Sequence, residues 1–235
     1  MRSAPGSIAL VYFMLAGVFS LAPLLLYLLW LSLITRRNRP TVLPGQWDFA
    51  ALLAGLSGFI LFGGGLLLFL LQSNVRFLIR GNFEALRDAW AKEYVAWVLT
   101  ILLYVLFVVG GSFLTLKSRQ RTLVIYNVEP DQFESALTEV FDHLGRPVER
   151  RGNLFVGGLP LCEVDSFPAG RTVTLRWLSD DHLLFQEVVR QVREAVQPLA
   201  PAENPASRWL STAVIGCAAV LVFLTFLVVY LRRNL

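Results

Sequence analysis

Four charged side chains in the second half of the chain are of the types that acid–base and anion-binding chemistry uses. They are Glu163, Asp165, Arg176 and His182. Carboxylates and a histidine can exchange protons, and an arginine can stabilise an anion, once the fold holds them close to one another. Their spacing follows no catalytic motif. The sequence therefore assigns no catalytic residue and predicts a protein that is not an enzyme, with an enzyme built from these four side chains as the alternative.

The residue types that bind metals or form disulfides are scarce. The chain has two histidines and two cysteines. Glu139 and His143 share a helical face at four-residue spacing, which indicates a solvated pair rather than a ligand set. Cys162 lies in a polar region and Cys217 in an apolar one, so both are predicted to be small buried hydrophobic residues. We therefore predict no metal and no cofactor.

Two glycine clusters lack the surroundings of a phosphate-binding loop. The run 63–65 falls in an apolar stretch, where it cannot cradle a phosphate. Gly157 and Gly158 lack the rest of a dinucleotide fingerprint and predict a turn or bulge. The sequence contains no G-x-S-x-G, H-E-x-x-H or P-loop motif, which excludes the commonest hydrolase, zincin and nucleotidase signatures.

Long apolar stretches without ionisable side chains dominate the chain, which is 55% hydrophobic and 16% charged with a mean hydropathy of +0.58. A hydrocarbon core of roughly 30 Å is crossed by ~20 apolar residues in a helix. The chain is therefore predicted to be a multi-pass α-helical membrane protein with four transmembrane helices, the first of them a retained helix rather than a cleaved signal. The stretches cover residues 8–34, 49–75, 94–116 and 209–231.

The polar segment before the last stretch predicts a small two-layer α+β soluble domain, inserted between helices 3 and 4. Its patterns give the order β-α-β-β-β-α, with both helices on one face of an antiparallel sheet. Helices are predicted over 130–144 and, capped by Ser179, over 180–197. Strands are predicted over 122–128, in a hairpin that turns at Gly152-Asn153, and over 161–167 and 171–178.

This order resembles the topology of ferredoxin-like domains. The resemblance covers the soluble segment alone and rests on no motif, and such folds host many unrelated functions. The predicted division is a three-helix transmembrane region over 1–116 with an interfacial helix near 82–93, a soluble domain over 117–200, a linker over 201–208, and a fourth helix with a basic tail over 209–235.

The basic residues that flank the stretches nearly balance between the two sides. The charges around the first helix decide between the two orientations, because Arg2 alone precedes it and the arginines of 36–39 follow it. Since basic residues favour the cytoplasmic side, this predicts a cytoplasmic soluble domain and external termini. The pair Arg232 and Arg233 favours the reverse. We predict a protein of the cell (inner) membrane. The basic residues form no single patch, so nucleic acid is excluded as a partner.

Small residues recur at four-residue spacing in two of the stretches and let helix backbones approach closely. Such seams pack helices within one chain, or against a protein partner or a second copy. The seam residues are Ala50, Ala54 and Gly58 in the second stretch, and Thr212 and Gly216 in the fourth.

These features together predict an integral membrane protein that acts as an anchor, scaffold or regulatory subunit, whose soluble domain binds another protein at the membrane surface. The alternative is a ligand-sensing or transport-accessory protein whose α+β domain binds a small molecule. A pore or transporter is disfavoured, because the stretches lack the ionisable residues that mark such pathways.

Overall fold

A computed structural model describes residues 5–64, 83–199 and 204–234. Within these ranges, four helices are long and apolar enough to span a membrane. The prediction of four such helices is thereby confirmed. The second stretch beyond residue 64, the predicted start of the interfacial helix at residue 82 and part of the linker lie outside the described residues. The apolar helical segments are Val11–Thr35, Gly45–Gly63, Tyr94–Ser118 and Ala206–Arg233.

Six α-helices are present in the described ranges, and the third is a single helix that contains both the predicted interfacial segment from Phe83 and the third span. The second helix passes into a π-helical turn, Phe59–Gly63. The helices are α1 Pro5–Thr35, α2 Gly45–Gly58, α3 Phe83–Ser118, α4 Pro130–His143, α5 His182–Val196 and α6 Ala206–Asn234.

Six strands form one antiparallel sheet, with the order β1-β2-β6-β5-β4-β3. The last four strands in sequence form a meander, and β6 then pairs with β2. The predicted turns are present, with Gly152 and Gly158 at positive φ and a register shift between Phe155 and Val156. The strands are β1 Thr41–Pro44, β2 Thr122–Tyr126, β3 Glu149–Arg151, β4 Leu154–Gly157, β5 Leu159–Phe167 and β6 Thr172–Trp177.

The sheet differs from the prediction in two respects. Four strands rather than three lie between α4 and α5, because each arm of the hairpin is a separate strand. In addition, β1 comes from the connection between α1 and α2, where the sequence predicted no strand. Pro40 precedes this short strand and Pro44 is its last residue, and proline is tolerated in a sheet only at edges and ends of strands. This strand lies at the edge of the sheet, beside β2. In a ferredoxin-like domain, the strand at the corresponding edge follows the second helix of the domain. Here it precedes β2 in the chain, so the connectivity differs.

One face of the sheet is covered by α4 and α5, as predicted. Aromatic and aliphatic side chains at helical spacing pack on inward residues of β2, β5 and β6, and each fully buried large side chain contributes about 1.5–3 kcal/mol. The predicted cap of α5 is wrong: Asp181 rather than Ser179 accepts the hydrogen bond of the first turn, from the Leu184 backbone nitrogen at 2.9 Å. The core includes Phe133, Leu137, Phe141, Ile125, Leu175, Trp177, Val188 and Val192.

The opposite face of the sheet is covered by protein over β2. Every residue of β2 is buried. Val124 and Tyr126 pack with Ile34, and Trp30 of α1 packs against the same cluster. Trp30 therefore lies against the end of the sheet.

The chain divides into two compact units. One contains residues 29–51 and 115–212, and so unites the sheet, α4 and α5 with the adjoining ends of α1, α2, α3 and α6. The other contains residues 1–28, 52–114 and 213–235.

In the second of these units, α2 packs on α1 through glycine. A Cβ added at Gly58 would lie 2.5 Å from the Phe19 carbonyl oxygen and from the Ser20 Cα. The Ser20 hydroxyl also donates to the Gly58 carbonyl at 3.3 Å. Of the predicted seam residues, Gly58 thus packs within the chain, whereas a Cβ at Gly216 would meet nothing within 4 Å among the described atoms.

Candidate functional site

Three of the four candidate chemical side chains lie side by side on the sheet. Glu163 of β5 faces Arg176 of β6, and Asp165 follows on the same face, opposite Thr174. The Glu163 Oε2 and Arg176 Nη1 atoms are 4.0 Å apart, beyond hydrogen-bond reach. The fold therefore brings together two carboxylates and one guanidinium.

His182 does not join them. It begins α5, and its Nε2 lies 3.0 Å from the Arg121 Nη2 atom. Arg121 in turn pairs with Asp180 at 3.0 Å. The four-residue set is therefore not assembled, and the histidine lies beside a cation rather than beside a carboxylate that could orient it for base catalysis.

A cleft of about 510 Å³ lies over the charged strand pair and reaches the carboxyl end of α3. We call it the sheet cleft. Its volume falls within the range of roughly 300–1,000 Å³ that is usual for small-ligand sites. Its lining combines four hydroxyl side chains with four charged ones. It is lined by Thr115, Ser118, Arg119, Thr122, Glu163, Asp165, Thr174 and Arg176.

The sheet cleft carries two positive and two negative side chains. Arg119 stacks over the Phe49 ring, with 5.0 Å between its Cζ atom and the ring centroid. Its flat face is thereby occupied, while the guanidinium edge, which carries the N–H donors, stays available. Arg176 and Glu163 are both well exposed to solvent. The cleft can therefore bind a ligand that bears charges of both signs.

A buried polar network, which was not predicted from the sequence, lies at the end of β2. Asn127 is fully buried in the left-handed region, with φ of 62°. Its Nδ2 donates to the Ile34 carbonyl at 2.8 Å and to the Arg37 carbonyl at 3.1 Å. The Ile34 carbonyl lies in the last turn of α1 and also accepts from the Arg37 backbone nitrogen at 3.1 Å, and Arg37 lies just beyond the helix.

Asn204 extends this network to the last helix. Its Nδ2 donates to the Asn127 Oδ1 at 3.0 Å and to the Gly170 carbonyl at 2.8 Å. Its Oδ1 accepts from the Ala206 backbone nitrogen at 3.0 Å, as an N-terminal cap of α6 does. We call Asn127 and Asn204 the asparagine clamp, since they join the ends of α1, β2 and α6.

The ends of α2 and α3 are fastened in the same unit. The Tyr126 hydroxyl donates to Asp48 Oδ1 in the first turn of α2 at 2.6 Å. The Gln46 side chain donates to the Leu116 carbonyl at the end of α3 at 3.3 Å. All four apolar helices are therefore hydrogen-bonded at the end that adjoins the sheet.

Cys162 is a core residue rather than a nucleophile. It is fully buried among the side chains of the sheet and of α4 and α5. Burial raises the pKa of its thiol to about 12, so the reactive thiolate is scarce at neutral pH. Among the described residues, no three His, Cys, Asp or Glu side chains are grouped so as to hold a metal ion. The absence of a metal or cofactor stays a prediction.

Comparison with protein-family models, with curated proteins and with solved structures finds no match. The function is therefore argued from the geometry above. A local signal for the asparagine clamp does exist, because asparagine favours left-handed positions and helix caps. That signal does not predict that Asn127 and Asn204, which are far apart in the chain, bind each other.

Proposed function

We propose that this chain is a multi-pass protein of the cell membrane whose α+β domain, inserted between the third and fourth spans, faces the cytoplasm as a fixed platform for another protein. It acts as a scaffold or regulatory subunit rather than as an enzyme. The observation that carries this proposal is the hydrogen bonding of all four helix ends within the sheet unit.

These contacts support a platform because they resist tilting of the domain against the helix ends. A buried donor or acceptor that loses its partner costs ~1–3 kcal/mol. Several such groups would lose partners together if the sheet moved away from α1 or α6. A protein bound to the domain is thereby held at a fixed place, and a force on the domain reaches the helices.

Exposed leucines at one end of the sheet offer a docking surface. Leu159 opens β5, and the Leu178 nitrogen bonds the nearby Leu161 carbonyl at 2.9 Å. Leu183 follows in the first turn of α5. Leu159 and Leu183 are 76% and 80% exposed. Exposed apolar side chains on a domain surface favour association with a partner. We call Leu159, Leu178 and Leu183 the leucine end.

The proposal is tested by affinity capture of the full chain from its own membranes in mild detergent. We expect a stoichiometric protein partner, and we expect Leu159→Ser with Leu183→Ser to release it. Phe167→Ser is the matched control, because Phe167 is 62% exposed at the opposite end of β5. Capture that survives the leucine changes, or that is equally lost in the control, contradicts this docking surface.

The cytoplasmic placement is tested separately with an impermeant thiol reagent in intact cells. Ser166→Cys reports on the exposed end of β5 and Arg233→Cys on the end of α6. Both changes are made in a background with Cys162 and Cys217 replaced by alanine. A cytoplasmic domain predicts labelling of position 233 in intact cells and of position 166 only after lysis.

A ligand sensor is the second candidate function, and the sheet cleft favours it. A small molecule bound there would contact the end of α3 and both central strands. This function predicts that a ligand raises the melting temperature of the protein. The full chain is used for this test, because a fragment over 117–200 would lack β1. An enzyme would require activity that is lost on alanine substitution of Glu163, Asp165 or Arg176.

A further inference from the structure

The position of the sheet cleft along α3 decides which ligands can reach it. The apolar segment of α3 ends at Ser118, and Thr115, Ser118 and Arg119 form one wall of the cleft. If this segment crosses a bilayer, its last turn lies where hydrocarbon gives way to lipid headgroups. In that case the cleft opens at the level of the headgroups, which surround it at high local concentration.

The charges of the cleft resemble the two charges of a zwitterionic headgroup. Arg119 and Arg176 present guanidinium groups, the side chain best suited to bind a phosphate through two parallel hydrogen bonds. Glu163 and Asp165 present carboxylates on the same face of the sheet. The Glu163 Oε2 and Arg176 Nη1 atoms are 4.0 Å apart, so an acidic and a basic group lie side by side in the cleft, as the ammonium and phosphate groups do in a short amino alcohol ester.

We propose that the sheet cleft binds the headgroup of a phospholipid with a primary ammonium group, as in phosphatidylethanolamine. Arg119 and Arg176 take the phosphate, and Glu163 and Asp165 take the ammonium. Thr174 and Ser118 add hydroxyl groups along the wall. The bound lipid fixes the depth of the sheet at the membrane surface. This proposal rests on α3 spanning a bilayer, but not on a protein partner.

The chemistry selects against other headgroups. A trimethylated ammonium has no N–H to donate to Glu163 or Asp165, so a choline lipid loses these hydrogen bonds. A headgroup that carries only negative charge meets the same two carboxylates and is repelled by them. A primary ammonium satisfies both carboxylates, and it leaves the phosphate to the two arginines.

The test uses the full chain in nanodiscs that contain equal amounts of phosphatidylethanolamine and phosphatidylcholine. The lipid retained after extraction into mild detergent is counted by native mass spectrometry. We expect the ethanolamine lipid to be enriched by about 5-fold over choline lipid, which corresponds to ~1 kcal/mol. Arg176→Gln and Glu163→Gln should each return the ratio to that of the nanodisc. Both residues are exposed, so the fold should tolerate the changes.

Arg193→Gln and Glu139→Gln are the matched controls, since both residues are exposed on the outer helices away from the cleft. They should keep the enrichment. Equal retention of both lipids by the unaltered chain overturns the proposal, as does enrichment that persists in both cleft variants. In a second set of nanodiscs phosphatidylglycerol replaces phosphatidylethanolamine, and equal enrichment of phosphatidylglycerol there overturns the assignment of an ammonium site.

A free ligand of the same chemistry is distinguished by competition with O-phosphoethanolamine. If this water-soluble compound displaces the lipid at low concentration, the cleft recognises a free phosphoamine and the lipid assignment is overturned. If the lipid stays bound, the assignment is supported. No partner protein is present in this experiment, so its failure is separate from a failure to capture a partner.

Discussion

The side-chain amide of Asn204 donates a hydrogen bond to the Oδ1 atom of Asn127 at 3.0 Å, across 77 residues of sequence. Both side chains are buried, at 4% and 0% exposure. Each also bonds the backbone at the end of an apolar helix, Asn127 at the end of α1 and Asn204 at the start of α6. The first and last apolar helices are thus connected through two side-chain amides rather than through apolar packing alone.

The first prediction concerns this asparagine clamp. Asn127→Ala removes the two hydrogen bonds that the asparagine side chain donates. It also puts alanine, whose side chain cannot hydrogen-bond the nearby backbone, in the left-handed region. We expect it to lower the free energy of unfolding by about 2–4 kcal/mol. Asn204→Ala should cost ~1–3 kcal/mol. Thermal unfolding of the purified chain in detergent measures both.

The double variant and a surface control complete this test. Because the two side chains bond each other, the effects of the single changes should fail to add, by ~1 kcal/mol or more. Asn153→Ala is the control, since Asn153 is exposed in the turn between β3 and β4. Strictly additive effects of Asn127→Ala and Asn204→Ala would contradict a direct coupling.

The second prediction concerns the attachment of α2. Tyr126→Phe removes the hydroxyl that donates to Asp48 at 2.6 Å and leaves the carboxylate with one partner fewer. A hydrogen bond to a charged group contributes ~1.5–3 kcal/mol, so the unfolding temperature should fall. Tyr12→Phe removes a tyrosine hydroxyl from an exposed position of α1 and should have little effect. Equal shifts in the two variants would argue against the Tyr126–Asp48 bond.

The third prediction concerns the glycine contact between α1 and α2. Gly58→Ala places a Cβ 2.5 Å from backbone atoms of Phe19 and Ser20, which cannot rotate away as a side chain would. Overpacking of this kind costs ~1–3 kcal/mol. The variant should therefore unfold at a lower temperature in the same detergent.

Gly216→Ala is the matched control for this change. The same substitution there meets open space and gains about 1 kcal/mol of helix propensity in an isolated helix. It should leave the chain as stable as before or slightly more stable. A loss of stability at Gly216 as large as that at Gly58 would show that the seam on α6 is packed too, as in a second copy or a partner.

The fourth prediction concerns pH. Burial raises the pKa of the Cys162 thiol from 9.0 to about 12. The unfolded chain therefore releases this proton near pH 9 while the folded chain retains it, so stability falls as the pH rises from about 9 to about 12. Below pH 9 the thiol is protonated in both states, and its contribution to the free energy of unfolding is fully present.

Two measurements check this in a Cys217→Ala background. The stability difference between the chain with Cys162 and the chain with Cys162→Ala should shrink between pH 9 and pH 11. A small maleimide should react with Cys162 at pH 8 only as the chain unfolds. Rapid labelling of the folded chain would mean that Cys162 is open to solvent.

The amphipathic helices show how much the sequence could predict. The apolar positions of α4 and α5 recur at helical spacing, and side chains at those positions, such as Phe133, Leu137, Val188 and Val192, are buried. Local periodicity indicates which face of an element packs on the core. The segment that forms β1 is too short to show a periodic pattern, which is why the sequence did not predict this strand.

The candidate site was predictable in part. Glu163, Asp165 and Arg176 were selected by residue type, and alternation along a strand places Glu163 and Asp165 on one face. Their pairing with β6 and the approach of Arg119 depend on register and on how α3 enters the sheet. His182 was grouped with them by residue type alone, and it lies elsewhere.

The sequence by itself determined the four apolar helices, because a run of apolar residues without charge is favourable only out of water, whatever its neighbours are. It also determined the helical faces and most of the strands, which depend on spacing within one element. The tertiary structure alone decided that β1 joins the sheet, that Asn127 and Asn204 meet, and that Arg119 and Arg176 line one cleft. These contacts join residues far apart in the chain, and no local pattern encodes which distant group satisfies a buried amide or lies opposite a given strand.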